Sequence, residues 1–208
     1  MTRMLLFACA AGFLLQNLFG DEVIAWFALW PAGSFPAQAA DGRVLEVGFL
    51  PWQLLTYGLL HGGFAHLFFN MLALYMFGAD VERTFGERRY LFFVLFSVFG
   101  AGLVQLAVVT ATASLDGGVF PTVGASGGVF GVLLAFGMLF PDRRVMLLIP
   151  PIPMKARTLV IAYGLLELFL GVTGTRSGIA HFAHLGGMLF AFGLIQYWRG
   201  RWPFVRKH

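Results

Sequence analysis

The chain has 208 residues, of which 59% are hydrophobic and only 12% are charged. Soluble domains carry roughly 25% charged residues, so this composition excludes an ordinary soluble protein and indicates lipid as the solvent. The formal net charge is +4, but the basic residues lie beside apolar runs and not among base-stacking aromatic residues. We therefore expect no nucleic-acid partner. The single cysteine, Cys9, excludes an internal disulfide.

Six apolar runs predict membrane-spanning helices, each of which needs about 20 mainly apolar residues. They lie at about 3–19, 63–79, 90–113, 122–140, 157–173 and 178–198. We expect an all-α, polytopic bundle of six transmembrane helices that forms one domain over residues 1–208. The first run also has the charge and apolar core of a signal peptide. No small-x-small cleavage site follows it closely, so we interpret it as a span.

The longest connection, at about 20–60, contains apolar patches that are broken by three prolines. This pattern predicts an interfacial loop at the membrane surface, with short helical pieces and no further span. Its tryptophans, Trp26, Trp30 and Trp52, suit an interface where an aromatic ring is half wet.

The basic residues predict the orientation. With six spans both termini share a side, and twelve of the fourteen basic residues fall on that side, leaving only Arg43 and Arg176 opposite. By the positive-inside rule both termini are cytoplasmic. The twelve are Arg3, Arg83, Arg88, Arg89, Arg143, Arg144, Lys155, Arg157, Arg199, Arg201, Arg206 and Lys207.

A few polar residues lie inside or at the edge of the spans, where they are costly and where a functional site is the default interpretation. At a rise of ~1.5 Å per residue, Ser126 lies roughly 6 Å and His184 roughly 9 Å below the outer surface. We place Glu167 roughly at mid-membrane. The set is His66, Asn70, Ser126, Glu167, His181 and His184.

These residues fit nucleophilic catalysis. A serine hydroxyl needs a base to take its proton, and the imidazole of His184 titrates near neutral pH. His66 and Asn70 share one helix face and can donate to a developing oxyanion, together with the N–H of Ser126 at a helix start. Because Glu167 is placed at mid-membrane, no acidic residue is in position to orient His184, and we expect a Ser–His dyad and not a triad.

The stretch PTVGASGGVFG around Ser126 is poor in side-chain volume. We expect Gly124 and Gly127 to make room for a substrate strand. Phe130, one turn after Ser126, is expected to stack on the imidazole. Close helix packing explains the remaining glycines, with a small-residue face on span 4 and a matching surface on span 6. These are Gly127, Gly128 and Gly131 on span 4 and Gly186 and Gly187 on span 6.

Three motifs together resemble the rhomboid family of intramembrane serine proteases. G-x-S-G is present at 124–127, H-x-x-x-N at 66–70 and A-H-x-x-G at 183–187, with an earlier histidine at His61. The resemblance implies Ser126 and His184 as the catalytic dyad and His66 and Asn70 as oxyanion donors. It also implies cleavage of transmembrane protein substrates within the lipid bilayer, with no cofactor or metal, in a bacterial cytoplasmic membrane. The chain departs from the family with Gln53 where arginine is frequent, and with Phe130 where tyrosine is frequent.

Other interpretations of the same residues remain open. Ser126 alone is compatible with a packing serine in a small-residue interface. His181 is a second candidate base, and a histidine cluster with His61 and His66 is compatible with zinc. At the level of function the alternatives are a catalytically inactive rhomboid-like protein that binds membrane helices, and a transporter or metal-binding membrane protein.

Overall fold

Six long or apolar helices correspond to the six predicted spans. The computed structural model describes residues 1–113, 119–146, 151–173 and 180–200. The predicted start of the last span at 178, and the basic residues Arg176, Arg201, Arg206 and Lys207, lie outside the described residues. The six helices are α1 (Thr2–Phe19), α4 (Phe64–Phe85), α5 (Glu87–Thr112), α6 (Ser126–Leu139), α7 (Ala156–Thr173) and α8 (His181–Trp198).

Four of these helices, α1, α4, α5 and α7, are long and apolar enough to cross a membrane. The helix α8 has 18 residues, but two histidines near its start and Gln196 near its end lower its hydropathy. The helix α6 is shorter than predicted because it begins at Ser126 and not near Thr122. Thr122 instead pairs with Leu29 in an isolated antiparallel bridge. The chain is thus extended at Thr122, and the helix begins one turn deeper in the bundle, at Ser126.

The short helix α6 is the centre of the bundle. It packs against α4, α5, α7 and α8, and the contacts of α8 with α5 and α6 are the most extensive between helices. Large apolar side chains on the outside of the bundle remain exposed, as expected for helices that face lipid tails. Examples are Phe7 and Leu18 on α1 and Phe169 and Val172 on α7.

Glycines set the separation of the central helices, but not with all the partners that we predicted. A Cβ on Gly187 would lie 2.0 Å from the carbonyl oxygen of Gly127, so these two glycines do match across α8 and α6. A Cβ on Gly186 would instead lie 2.8 Å from Cβ of Val104, on α5. The glycines Gly128 and Gly131 likewise approach α5, at Val98 and Ser97.

The predicted interfacial loop contains a β-hairpin that we did not predict. The helix α2 (Asp21–Phe27) leads into antiparallel strands β1 (Phe35–Gln38) and β2 (Val44–Val47). The short helix α3 (Gln53–Thr56) and the 3₁₀ turn Tyr57–Leu59 then lead to α4. Alternation over four residues is too short to stand out in an apolar loop, and the hairpin is held by its backbone pairs.

Two of the loop tryptophans are exposed and stack on each other, with the ring centroids of Trp26 and Trp52 6.3 Å apart. The prediction for Trp30 was wrong. This residue is buried, and its Nε1–H donates to the carbonyl of Ile24 at 3.1 Å. Its side chain therefore belongs to the core of the loop and not to its wet surface.

At the opposite end of the bundle, Asp80 pairs with Arg83 of α4 and with Arg143, which follows α6. A second hairpin follows there, with β3 (Arg144–Met146) antiparallel to β4 (Pro153–Lys155). The ion pairs bring together the carboxyl ends of α4 and α6, so these helices run in the same direction, as the six-span order predicts.

Candidate active site

The hydroxyl of Ser126 meets the imidazole of His184 where α6 and α8 begin. The distance from Ser126 Oγ to His184 Nε2 is 2.7 Å, within hydrogen-bond range. Ser126 is the first residue of α6, and no side chain caps this helix, so its first N–H groups lack intrahelical partners. The close approach of Gly187 to Gly127 brings the two helix starts together.

Phe130 covers one face of the His184 ring. The two rings are stacked, with centroids 4.3 Å apart and planes 7° apart. The stacking that we predicted from the spacing is therefore present. On its other side Phe130 makes an edge contact with Tyr163 of α7, with centroids 6.1 Å apart. This sandwich restricts how the imidazole can tilt.

His66 faces the same cavity from the first turn of α4. The N–H of Gly62 donates to His66 Nδ1 at 3.3 Å, so this nitrogen is the acceptor and Nε2 carries the proton. A Cβ on Gly124 would lie 2.9 Å from His66 Nε2, and the φ of Gly124 is +130°. The space beside Gly124 is thus filled by His66 and is not left free for substrate. Gly127 also has no room for substrate, because Ala101 of α5 lies against it.

Asn70 lies one turn further along α4 and is buried. Its amide nitrogen donates to the carbonyl of His66 at 2.9 Å, within the same helix. The side chain lines the cavity that also contains Ser126, His66 and His184. The amide has a second N–H, which remains for a ligand in that cavity.

Our prediction for Glu167 was wrong. We placed it at mid-membrane, away from His184, yet its Oε2 lies 2.9 Å from His184 Nδ1. Its contact with His181 Nδ1 is 2.7 Å. The physical reason is the length of α7, which ends at Thr173. Glu167 is six residues from that end, or roughly 9 Å along the axis, which is the depth that we had assigned to His184.

His181 is not the residue that contacts Ser126. Its Nδ1 faces Glu167, and its ring stands edge-on to His184 with centroids 6.5 Å apart. The ligand atoms of Glu167, His181 and His184 all lie within 4.8 Å of one another. By distance alone these three residues could hold a metal ion, in a different set from the histidine cluster with His61 and His66 that the sequence indicated.

His61 belongs to the buried core beside the site. Its ring is fully buried and meets His66 edge-on, with centroids 5.2 Å apart. Within the part of the chain that the structure describes, neither ring nitrogen makes a well-aligned hydrogen bond. Its backbone is held instead, because Gln16 of α1 accepts from its N–H at 2.8 Å and donates to its carbonyl at 2.6 Å. Burial, with His66 nearby, lowers the pKa of His61 to about 4.

A cavity of about 820 Å³ extends from the Ser126–His184 pair between α4, α6 and α7. Its polar end contains His66, Asn70, Ser126 and His184. Its remaining wall is mostly apolar, and Phe69 and Met76 on that wall are exposed at the surface of the bundle. The cavity thus joins a polar site to the lipid-facing side. Its apolar lining includes Phe69, Ala73, Met76, Phe77, Leu133, Leu159 and Tyr163.

The sequence matches the Rhomboid domain family over residues 49–200, which include every residue of this site. The chain belongs to the rhomboid family. Among similar rhomboid proteins are RHOMBOID-like protein 4 of Arabidopsis thaliana, 35% identical over 68% of this chain, and the putative rhomboid protease YdcA of Bacillus subtilis, 32% identical over 70%. The rhomboid protease GluP of Bacillus subtilis is 35% identical over 68% of this chain.

The match covers different shares of these rhomboid proteins. It spans 68% of YdcA, but only 32% of the Arabidopsis protein and 25% of GluP. The chain thus corresponds to less than two thirds of the length of two of these relatives. With its four helices that can cross a membrane, the rhomboid chain is an integral membrane protein.

Gln53 replaces the arginine that is frequent in the loop of rhomboid proteins, and it is fully buried. Its Oε1 accepts from the N–H groups of Trp30 at 3.3 Å and Leu50 at 3.1 Å. Its Nε2 donates to the carbonyls of Trp26 at 3.4 Å and Gly48 at 3.3 Å. A neutral amide therefore orders the loop here by satisfying four backbone groups.

Proposed function

We propose that this protein is an intramembrane serine endopeptidase that cleaves transmembrane segments of other membrane proteins. One observation carries the proposal, namely the 2.7 Å contact between Ser126 Oγ and His184 Nε2 at the polar end of an apolar cavity. The chain acts as one membrane domain over residues 1–208. Both termini are cytoplasmic, and the site faces the outer half of the membrane, as the positive-inside rule indicates.

The geometry supports a two-step acyl transfer. Ser126 Oγ attacks the scissile carbonyl carbon while His184 Nε2 takes the hydroxyl proton. The resulting oxyanion is bound by the Nε2–H of His66, the amide of Asn70 and the N–H of Ser126. When the C–N bond breaks, the imidazolium of His184 gives its proton to the leaving amine. Water then attacks the acyl-serine with His184 as base, and the acid product leaves.

The shape of the cavity supports a membrane-embedded substrate. An apolar wall suits the side chains of a transmembrane segment, and its exposed rim on α4 permits entry from lipid. Helical backbone has no free carbonyl for attack, so the segment must unwind at the polar end, where water can satisfy its backbone groups. Helix-breaking residues near the cleaved bond are therefore favoured in a substrate.

A fluorophosphonate probe tests the proposal, since it reacts with an activated serine only. We expect the purified protein in detergent to be labelled, and we expect Ser126→Ala and His184→Ala to abolish the labelling. The control is Ser97→Ala, because Ser97 is buried in α5 and donates only to the carbonyl of Phe93. Labelling that survives in Ser126→Ala would refute the nucleophile.

The alternative is a rhomboid-like protein that binds membrane helices without cleaving them. Such a protein would not need a serine hydroxyl at hydrogen-bond distance from an imidazole. The two functions can be distinguished with a reporter protein that has one transmembrane segment and is reconstituted in vesicles with the wild type. Binding without cleavage, together with no probe labelling, would favour the alternative.

A further inference from the structure

The carboxylate of Glu167 lies behind the imidazole of His184, on the side away from Ser126. One ring nitrogen of His184 faces Ser126 Oγ at 2.7 Å, and the other faces Glu167 Oε2 at 2.9 Å. The Glu167 side chain is only 9% exposed, and it comes from α7, which also forms a wall of the cavity. Serine, imidazole and carboxylate therefore form a continuous series across α6, α8 and α7.

We propose that Glu167 is a positioning residue for His184, and that His181 in turn holds Glu167 in place. The proposal rests on the proposed function, because it assigns His184 the role of general base. The site then works as a Ser126–His184–Glu167 triad, where the sequence predicted a dyad.

The carboxylate has two effects on the imidazole. It favours the tautomer in which Nδ1 carries the proton, which leaves the lone pair of Nε2 facing Ser126. It also stabilises the imidazolium that forms when the serine proton is taken. Oε2 of Glu167 lies off the direction of the Nδ1–H bond, so the carboxylate acts on the imidazole mainly through its charge. In a buried site a charge at this distance acts strongly.

On the described helices that pack around His184, Glu167 is the acidic residue beside the imidazole. The sequences of α6 and α8 contain no Asp or Glu, and Glu87, the acidic residue of α5, lies in its first turn. The two acidic residues of α4, Asp80 and Glu82, lie near the end of that helix that is remote from His66. Among the groups that face His184, His66 and His181 are imidazoles, so Glu167 supplies the negative charge.

His181 fits the role of a holder for the carboxylate. Its Nδ1 lies 2.7 Å from the same Oε2 in a well-aligned hydrogen bond, and both side chains are buried. A buried carboxylate with one firm donor has a fixed position, which a long flexible side chain alone would lack. This assignment explains a histidine that does not contact Ser126.

The short distances favour this role over a metal site. Zinc lies ~2.0–2.1 Å from each of its nitrogen and oxygen ligands, so two ligand atoms of a tetrahedral site are roughly 3.3 Å apart. The two nitrogen–oxygen separations here are 2.7 and 2.9 Å, which are hydrogen-bond and ion-pair distances. A protonated Nδ1 that faces a carboxylate is also not available to a cation.

Substitution of Glu167 tests the proposal in the full chain, reconstituted in vesicles with a single-span reporter substrate. Glu167→Gln keeps the volume and removes the charge. We expect kcat and the rate of fluorophosphonate labelling to fall by about tenfold to 10⁴-fold, with KM unchanged, because only the proton transfer is affected. Glu87→Gln is the matched control, since it removes a carboxylate outside the site, and it should keep the wild-type kcat.

His181 provides a second and gentler test. His181→Ala should slow labelling without preventing it, because Glu167 stays but loses its holder. His181→Asn should restore the rate, because its amide nitrogen can occupy the place of Nδ1 and donate to the carboxylate. A purely structural role would give equal losses in both variants and would lower the thermal midpoint in parallel.

Three results would overturn the proposal. One is a wild-type kcat in folded Glu167→Gln, and another is an equal loss of rate in His181→Ala and His181→Asn. The third is inhibition of the wild type by ZnCl₂ that Glu167→Gln relieves at unchanged kcat, which would make the cluster a cation site. Labelling that persists in Ser126→Ala would instead refute the proposed function, so the two failures are distinguishable.

Discussion

Gly187 of α8 lies against the backbone of Gly127 in α6, so that a Cβ on Gly187 would stand 2.0 Å from the Gly127 carbonyl oxygen. Gly127 follows Ser126 directly, and Gly187 is three residues after His184. The separation of these two glycines therefore sets the distance between the hydroxyl and the imidazole.

Gly187→Ala should push α8 away from α6 and break the contact between Ser126 Oγ and His184 Nε2. We expect the labelling rate to fall by roughly tenfold or more and the protein to lose about 1–3 kcal/mol of stability, as in other overpacked sites. Gly164→Ala is the control, since its Cβ would meet only the flexible end of Met188 at 3.4 Å. If both variants behave like the wild type, close packing at Gly187 does not control the site.

Asn70→Ala should lower kcat with little change in KM, because its amide binds charge that exists only in the transition state. Loss of one oxyanion donor typically costs ~10²–10³-fold in kcat. We expect the low end, since His66 and the Ser126 N–H remain. The thermal midpoint should hardly change, because Asn70 bonds within its own helix.

Asn17→Ala provides the matched control for Asn70. The amide of Asn17 also donates to a carbonyl four residues earlier, that of Phe13, but on α1 and exposed. Its loss should leave kcat as in the wild type. An unchanged kcat in Asn70→Ala would reduce Asn70 to a packing role, and a parallel loss of stability would make it structural.

The buried His61 should make the fold less stable in acid. Burial favours its neutral form and lowers its pKa to about 4 in the folded state, while an unfolded chain has a pKa near 6.5. Its contribution to stability is complete above pH ~6.5 and is lost as the pH falls from there towards 4. At pH 5 this shift in pKa lowers the free energy of unfolding by about 2 kcal/mol.

Thermal unfolding of the wild type and of His61→Leu at pH 8 and pH 5 measures this contribution. We expect the midpoint of the wild type to fall more between the two values than that of the variant. Equal falls would show that His61 does not titrate in this range.

The orientation is open to a direct test with fused reporters. A reporter after His208 should be cytoplasmic, and one inserted at the exposed Ala40, beside the β1–β2 hairpin, should be external. Insertion at Asp142, between α6 and β3, should again report the cytoplasm. An external reporter after His208 would reverse the topology and move the site to the other face.

The sequence by itself determined the six apolar segments and, through three motifs, the family. It also predicted that Ser126 and His184 lie at a similar level, which follows from counting residues along each span because the rise of a helix is constant. The stacking of Phe130 was accessible for the same reason, since residues four apart share a helix face. Counting back six residues from the end of its span would also have placed Glu167 at the level of His184.

Only the tertiary structure decided which way each side chain points around its helix axis and what stands there. The partners of Gly186 on α5 and of Glu167 on α8 depend on how the helices are rotated and tilted against each other. Two of the four backbone groups around Gln53, those of Trp26 and Trp30, are distant from it along the chain, so no local pattern indicates them. Helix packing allows several crossing geometries for the same apolar stripe, and side-chain volume selects among them. The position of the Glu167 carboxylate beside His184 results from this packing.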